Sequence, residues 1–286
     1  MLVPWEPELF SGPALAQMWE RRAERDKPRT EKLTAVPYFD GLMTGEIDAL
    51  IGSFAGEPLL HHPIRGRIQG VAAFRRFAAD TKAWLVDHHV QVEDVNFIIT
   101  PEGGVEELVL HLDGYGGRIA LPYALAADRD DDSRIIELRL YFSSWPLTGA
   151  HAIRPPLLQP VPHLHEPDVV GDHQRALASG DLDAVVAAFE PDGCMREPAG
   201  AAYLHCGSDE LRALYASFFS NGGGIPLERC AVVDDGRSCA LEYNVVAWGR
   251  TPLPPQAGIA VYRRADSGKL AILRVYDDAD PPLNQD

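Results

Sequence analysis

Residues 173–198 read HQRALASGDLDAVVAAFEPDGCMREP and have a counterpart earlier in the same chain. A shift of 135 residues places them over YFDGLMTGEIDALIGSFAGEPLLHHP, residues 38–63. Identical residues at matching positions are Leu42/Leu177, Gly45/Gly180, Asp48/Asp183, Ala49/Ala184, Phe54/Phe189 and Pro63/Pro198. Because order, spacing and residue type agree, the pattern predicts a duplicated domain.

The repeat extends beyond these segments and sets the predicted domain boundaries. After a two-residue insertion GVAAFRRF (70–77) aligns with GSDELRAL (207–214), and at the end RIIELRLY (134–141) aligns with KLAILRVY (269–276). Five prolines lie between the copies, within residues 154–168, and proline excludes both helix interiors and central strands. We predict an N-terminal helical arm at 1–29, a first domain at 30–150, a proline-rich linker at 151–166 and a second domain at 167–286.

Each copy places helices before strands. In the second copy, apolar residues recur at helical spacing around Ser179-Gly180-Asp181, which predicts a helix, a break and a second helix capped by Asp181. A short strand, CMREP, and a helix over residues 208–219 follow, and then long strands joined by the turns VDDGR and ADSGK. Helices followed by an antiparallel sheet predict an α+β fold.

Composition and charge exclude several classes of protein. Of 286 residues, 46% are hydrophobic and 24% charged, which is typical of a folded globular chain. Acidic residues outnumber basic ones by 42 to 26, so binding to nucleic acid or to an anionic membrane is not expected. The first residues lack the basic start and apolar run of a secretory signal, and the four cysteines form no CxxC pair. We therefore expect a cytoplasmic protein with reduced thiols.

The stretch ALASGDLDAVVAAFEPDGCMREPAG (176–200) resembles the opening of SnoaL-like and ketosteroid-isomerase-like members of the nuclear transport factor 2-like superfamily. AVYRRADSGKLAILRVYDD (260–278) is similar to that family's last two strands. The resemblance implies two tandem cone-shaped α+β barrel domains, in each of which a curved antiparallel sheet wraps around helices and leaves a cavity. Because the superfamily hosts isomerases, cyclases, epoxide hydrolases, dehydratases and non-catalytic proteins, function depends on the site.

The resemblance also implies candidate site residues in both domains. In domain two, the position of the general base falls on Glu197, that of the oxyanion-hole tyrosine on His173, and that of the second oxyanion donor on Ala260. In domain one the corresponding positions fall on His62, on Tyr38 and near Tyr123. A carboxylate facing an apolar cavity gains basicity, and a histidine can take a proton near neutral pH. Either domain could therefore be active by a different base, or one could be a degenerate copy, and domain two is the favoured acid/base site.

Further candidates follow from strand alternation and from a second resemblance. Glu242, Asn244 and Trp248 stand at even-numbered positions of a predicted strand, so their side chains point to the same face. They either face the cavity or form an exposed polar face with Trp248 at a dimer contact. Two-domain polyether epoxide hydrolases use paired carboxylates, a role that Asp172 could share with Glu197, while a solvent-facing Asp172 is the alternative. Arg139 and Arg274, at matching repeat positions, are predicted to form structural ion pairs.

Several functions remain open at this point. The leading hypothesis is a cofactor-independent cyclase, isomerase or dehydratase that acts on a mainly apolar small molecule, such as a polyketide-like metabolite. One alternative is an epoxide hydrolase or cyclase, and another is a non-catalytic apolar-ligand-binding or scaffold protein. The histidines lack a compact ligand motif and no dinucleotide fingerprint occurs, so no metal and no cofactor are predicted. The fused copies are expected to form an intrachain pseudo-dimer, and a homodimer is left open.

Overall fold

The computed structural model describes residues 38, 41–42, 46–114 and 116–282. The predicted arm at 1–29 lies outside these residues. No helix of the described part of the chain is both long and apolar enough to cross a membrane.

From residue 46 on, the part of the first half that the structure describes contains two longer helical segments, six strands and a one-turn helix. They are α1 (Ile47–Gly52), β1 (Leu59–His62), β2 (Gly66–Gln69), α2 (Val71–Asp87), β3 (Gln91–Ile99), β4 (Gly103–Gly114), β5 (Gly117–Arg129), β6 (Ile135–Tyr141) and α3 (Trp145–Thr148). The second half repeats the order: α4 (Asp168–Ser179), α5 (Leu182–Ala187), β7 (Phe189–Arg196), β8 (Leu204–Cys206), α6 (Gly207–Phe218), β9 (Leu227–Asp234), β10 (Ser238–Trp248), β11 (Thr251–Arg264) and β12 (Leu270–Tyr276).

Each half forms one six-stranded sheet, and the two sheets have the same topology. Their strand orders are β2-β1-β6-β5-β4-β3 and β8-β7-β12-β11-β10-β9. This confirms the α+β class and the internal repeat. Two details differ from the expectation: β1 pairs with β6, and β7 with β12, in parallel, and each sheet is open instead of closing into a barrel. In each copy the first strand lies next to the last strand of the sheet, and the two strands run in the same direction.

The predicted helix, break and helix of the second copy are present. Helix α4 ends at Gly180 in the left-handed conformation, and the Asp181 carboxylate accepts a hydrogen bond from the Ala184 N–H at 3.0 Å. This bond satisfies one of the N–H groups that the first turn of α5 leaves unpaired.

We expect Asp181→Ala to lower the free energy of unfolding by about 1 kcal/mol, the usual cost of losing a helix N-cap. Urea denaturation followed by circular dichroism measures this change. Asp183→Ala is the control, because Asp183 lies in the same first turn without capping it. An equal loss in both variants would contradict the capping role.

The two sheets pack against each other inside the chain and form a pseudo-dimer. Their contact is an apolar cluster to which both halves contribute buried residues. These are Ile98, Val105, Ala124, Ala126, Tyr141, Ala240, Ala257, Ile259, Val261 and Tyr276. Two ion pairs cross the contact: Arg274 Nε donates to Glu107 Oε1 at 2.7 Å, and Arg139 Nε donates to Glu242 Oε1 at 2.6 Å. The predicted ion pairs of the two arginines therefore form, and each of them joins one half to the other.

The same geometry recurs in both ion pairs. Each arginine donates two hydrogen bonds to its glutamate, and the tyrosine two residues further along the strand donates a third, at 2.7 Å from Tyr276 and 2.6 Å from Tyr141. Glu107 and Glu242, like the arginines and the tyrosines, occupy matching positions of the repeat. The contact is thus self-complementary, as in a two-fold symmetric dimer.

The prediction that all four cysteines are reduced is wrong for one pair. Cys194 on β7 and Cys206 on β8 are directly opposite each other in an antiparallel pair and form a disulfide. Cys230 and Cys239 are buried free thiols. Residue spacing does not indicate this bond, since the bond depends on the register of two short strands.

Candidate active site in the second half

A cavity of about 240 Å³ lies between helices α4 and α6 and the second sheet. Most of its wall is apolar and comes from Leu177, Met195, Ala199, Phe218, Ile225, Leu227, Val245, Trp248, Leu273 and Val275. Two carboxyl groups, Glu197 and Asp277, lie in this wall. An enclosed apolar pocket with a few polar groups is the usual form of a small-molecule site.

Glu197 is held at the cavity by the first hairpin of the second sheet. It follows the last residue of β7, and its Oε1 lies 2.7 Å from Nε2 of His205 on β8. The side chain of Glu197 remains 23% exposed. This position leaves the second carboxylate oxygen of Glu197 available to a ligand.

Asp277 is a site residue that the sequence analysis missed. It follows β12, and its Oδ2 accepts a hydrogen bond from the Tyr243 hydroxyl at 2.8 Å. Burial raises the pKa of Asp277 to about 6, and the hydrogen bond from Tyr243 only partly offsets this effect. The carboxyl group is therefore poised to exchange a proton near neutral pH.

The backbone makes room for this pair at Gly258. A Cβ atom at Gly258 would lie 2.7 Å from the ring of Tyr243 and 2.8 Å from the Cβ of Asp277. A glycine is needed here because both side chains cross directly over the strand.

His173 lies in the wall of the same cavity as a neutral imidazole. Its Nε2 is 3.0 Å from the Tyr215 hydroxyl, and its Nδ1 has no hydrogen-bond partner among the described residues. Burial lowers the pKa of His173 to about 4, so the ring carries no charge at neutral pH. It can orient a polar group by hydrogen bonding, but it is not a strong acid there.

The side chain of Ala260 has no hydrogen-bond donor, but that of Tyr262, two residues further along β11, has one. Ala260 and Tyr262 point to the same side of the sheet and both line the cavity. The Tyr262 hydroxyl accepts a hydrogen bond from Gln174, and its own proton has no acceptor among the described residues. Tyr262 can therefore donate to an oxygen atom of a ligand.

Trp248 lines the cavity, whereas Glu242 and Asn244 do not. An irregularity between Val245 and Ala247 shifts the alternation of β10, which places Trp248 on the cavity side with Tyr243 and Val245. Glu242 points into the contact between the sheets, so its predicted cavity position is wrong. Asn244 lies on that same side and donates to the carbonyl of Leu158 at 3.3 Å. A bulge of this kind is not visible in the residue pattern.

Asp172 is also outside the cavity wall. It lies on the outer surface of α4, where its carboxylate pairs with Arg175 and its side chain is 68% exposed. The predicted pairing of Asp172 with Glu197 is therefore wrong, and the solvent-facing alternative is the one that the structure shows.

The first half has its own cavity, of about 230 Å³, whose wall includes Tyr38, His62 and Tyr123. The structure thus brings these three predicted residues together. Nδ1 of His62 accepts hydrogen bonds from the N–H groups of Ile64 and Arg65, at 3.1 and 3.2 Å. Burial, followed by the charges of Arg154 and Arg65, lowers the pKa of His62 to about 4. In the neutral ring the other nitrogen, Nε2, carries the proton, so His62 is a donor and not a base.

The histidines pair with separate neighbours. His89 contacts Asp113 at 2.9 Å, and His111 contacts Glu93 at 2.7 Å. Within the described ranges, no group of three or more His, Cys, Asp or Glu side chains is arranged to hold a metal ion.

The sequence of residues 170–272 matches the model of the SnoaL-like domain family. No significant match occurs among curated proteins. The solved structures that are similar to this chain include the following three, each at low identity. A putative polyketide cyclase from Sinorhizobium meliloti has 22% identity and a TM-score of 0.33, over 38% of this chain and 94% of that chain.

The other two structures are an NTF2-like protein of unknown function from Burkholderia xenovorans and the orange carotenoid protein of Anabaena, which binds canthaxanthin. The former has 21% identity and a TM-score of 0.31 over 41% of this chain and 84% of that chain. The latter has 18% identity and a TM-score of 0.35 over 50% of this chain and 48% of that chain. The fold assignment rests on the sheet topology and on the family match.

Proposed function

We propose that the second half of the chain, whose residues 170–272 match the SnoaL-like domain family, is an enzyme that moves protons on a mainly apolar small molecule without a cofactor. The observation that carries this proposal is the pair of carboxyl groups in one apolar cavity, of which Asp277 has a pKa raised to about 6. Two titratable groups in contrasting environments are the usual basis of an acid and a base in one site.

Glu197 is the base in this proposal. His205 holds one carboxylate oxygen at 2.7 Å, which leaves the other oxygen to accept a proton from substrate carbon or from a hydroxyl group. Apolar side chains of the wall, such as Met195 and Val275, limit the hydration of the reacting groups, which favours the proton transfer.

Asp277 and Tyr262 are the donors. In its protonated form, Asp277 can stabilise an oxygen that becomes negative in the transition state, and the unpaired proton of Tyr262 can do the same. Tyr243 holds Asp277 in place, while His173 and Tyr215 position the neighbouring wall. This set supports isomerisation, cyclisation or dehydration by removal of a proton next to a carbonyl group.

Epoxide opening is the second candidate reaction, and the same observation favours it. A protonated Asp277 would give its proton to the epoxide oxygen, while Glu197 would remove a proton from the attacking hydroxyl group or water. In the first half, the neutral His62 supplies a donor but no base, so we assign catalysis to the second half only.

The test uses 5-nitrobenzisoxazole, a neutral planar compound that reports proton removal directly. A base takes the proton from its C3 carbon, the N–O bond breaks, and a coloured phenolate forms with the negative charge on oxygen. We expect the wild-type rate to fall as pH rises through about 6, because Asp277 then loses the proton that it donates.

Asp277→Asn keeps a donor that does not titrate, so we expect this variant to lose the decline of the rate above about pH 6. The rate measured against pH for both proteins, with stopped-flow absorbance, checks this. Asp280→Asn, outside the cavity wall, serves as the control. An unchanged profile in Asp277→Asn would contradict the donor role, and a wild-type rate equal to that of buffer would contradict the proposed function.

A further inference from the structure

We propose that Trp145 and His151 form an aromatic subsite of the second cavity, which binds a flat, uncharged, conjugated part of the substrate. Both side chains belong to the segment that follows the first sheet, yet both line the cavity that contains Glu197 and Asp277. The proposal rests on the cavity being the ligand site of the proposed function, and it adds the class of ligand.

The two rings form a ready aromatic surface. Their centroids are 4.9 Å apart and their planes differ by 23°, which is a stacked arrangement. Trp145 is nevertheless 39% exposed. Because the Trp145 ring is stacked, partly exposed and in the cavity wall, a flat partner can extend the stack.

Asp278 holds the chain in place just before Trp145 and just after His151. Its carboxylate accepts hydrogen bonds from the Ser143 hydroxyl at 2.6 Å, from the Ser144 N–H at 3.0 Å and from the Ala152 N–H at 2.7 Å. Nδ1 of His151 lies 3.0 Å from the same carboxylate. Burial alone would raise the pKa of Asp278, but these hydrogen bonds hold it below its usual value. The rings are therefore held in place before a ligand arrives, which reduces the entropic cost of binding.

The first half also anchors the subsite. Leu147, in the same one-turn helix as Trp145, packs against the apolar core of the first half. Helix α3 thus lies between the two halves and presents an aromatic ring from one of them to the cavity of the other. This arrangement assigns the first half a function that does not require a base of its own.

The charges nearby define the ligand further. Glu197, Asp277 and Asp278 lie at or beside the cavity, so an anionic ligand would meet repulsion there. The stack and the two carboxyl groups line one cavity, so we expect a ligand with two fused rings to contact more of this wall than a single ring does. Fused or extended conjugated molecules that carry one oxygen function fit the site best.

The experiment compares 2-naphthol with phenol as probes in calorimetric titrations of the full chain. We expect Trp145→Ala to weaken the binding of 2-naphthol by about threefold to tenfold, the range of one aromatic contact, and that of phenol by less than about twofold. Trp145→Phe should retain most of the affinity for 2-naphthol. The matched control is Trp84→Ala, because Trp84 stacks on His88 at 4.5 Å beside the first cavity.

Three results would overturn the subsite: no binding of 2-naphthol to the wild type, an equal loss of both probes in Trp145→Ala, or an equal effect of Trp84→Ala. Binding does not depend on proton transfer, so the same titrations are repeated with Glu197→Gln. If 5-nitrobenzisoxazole is not turned over while Trp145→Ala still discriminates between the probes, the proposed reaction fails and the subsite stands.

Discussion

Replacing Glu197 with glutamine is expected to lower the rate of proton removal from 5-nitrobenzisoxazole by about 10²–10⁴-fold, the usual loss when a general base is removed. Glutamine has nearly the same shape and can still contact Nε2 of His205, which lies 2.7 Å from the carboxylate. It has no basic oxygen, however, and the mostly apolar wall offers no second carboxylate in the place of Glu197. The affinity for 2-naphthol should change little, because glutamine has nearly the same size at this position of the cavity wall and leaves the aromatic stack of Trp145 and His151 intact.

The matched control for this variant is Glu93→Gln. Glu93 forms a carboxylate–imidazole pair with His111 of the same 2.7 Å length, but on the exposed surface of the first half. Its substitution should leave the rate within about twofold of wild type, as expected for an exposed pair of small energy. If both variants lost the same activity, or if Glu197→Gln lost none, Glu197 would not be the base.

The resemblance to the SnoaL-like family implied Glu197 and His173 as site residues, and the structure brings both into the wall of one cavity. Their elements follow from local sequence, since Glu197 comes after a strand that a proline ends and His173 lies on a helix with clear apolar spacing. Asp277 was missed because the pair Asp277-Asp278 after the last strand looks like a solvated turn. Only the closed cavity reveals that one carboxylate faces Tyr243 while the other binds the segment at Ser143 and His151.

The remaining errors come from contacts that strand alternation does not specify. A single irregularity in β10 moved Trp248 to the cavity side, while Glu242 stayed on the side that faces the other half. The disulfide between Cys194 and Cys206 required knowledge of the register between two strands. The repeat itself was recoverable because duplicated apolar spacing survives substitution.

The second large effect concerns the contact between the halves. We expect Arg274→Met to lower the free energy of unfolding by about 3–5 kcal/mol, because it leaves the fully buried carboxylate of Glu107 without its cationic partner. The remaining hydrogen bonds, from Tyr276 and Asn96, do not replace that charge. The double variant Glu107→Leu/Arg274→Met removes both charges and should recover most of the loss.

Urea unfolding monitored by circular dichroism at several pH values tests this prediction. Burial alone would raise the pKa of Glu107, but Arg274 and Tyr276 hold it below its usual value, so the wild type is stabilised at neutral pH and loses that contribution as acid protonates the carboxylate. Arg274→Met should therefore lose stability at neutral pH and be less sensitive to acid. Arg134→Met is the control, because Arg134 pairs with Asp130 at 3.0 Å on the exposed surface and its loss should cost less than about 1 kcal/mol. An equal loss of unfolding free energy in Arg274→Met and Arg134→Met would show that the buried pair does not hold the halves together. A double variant no more stable than Arg274→Met would lead to the same conclusion.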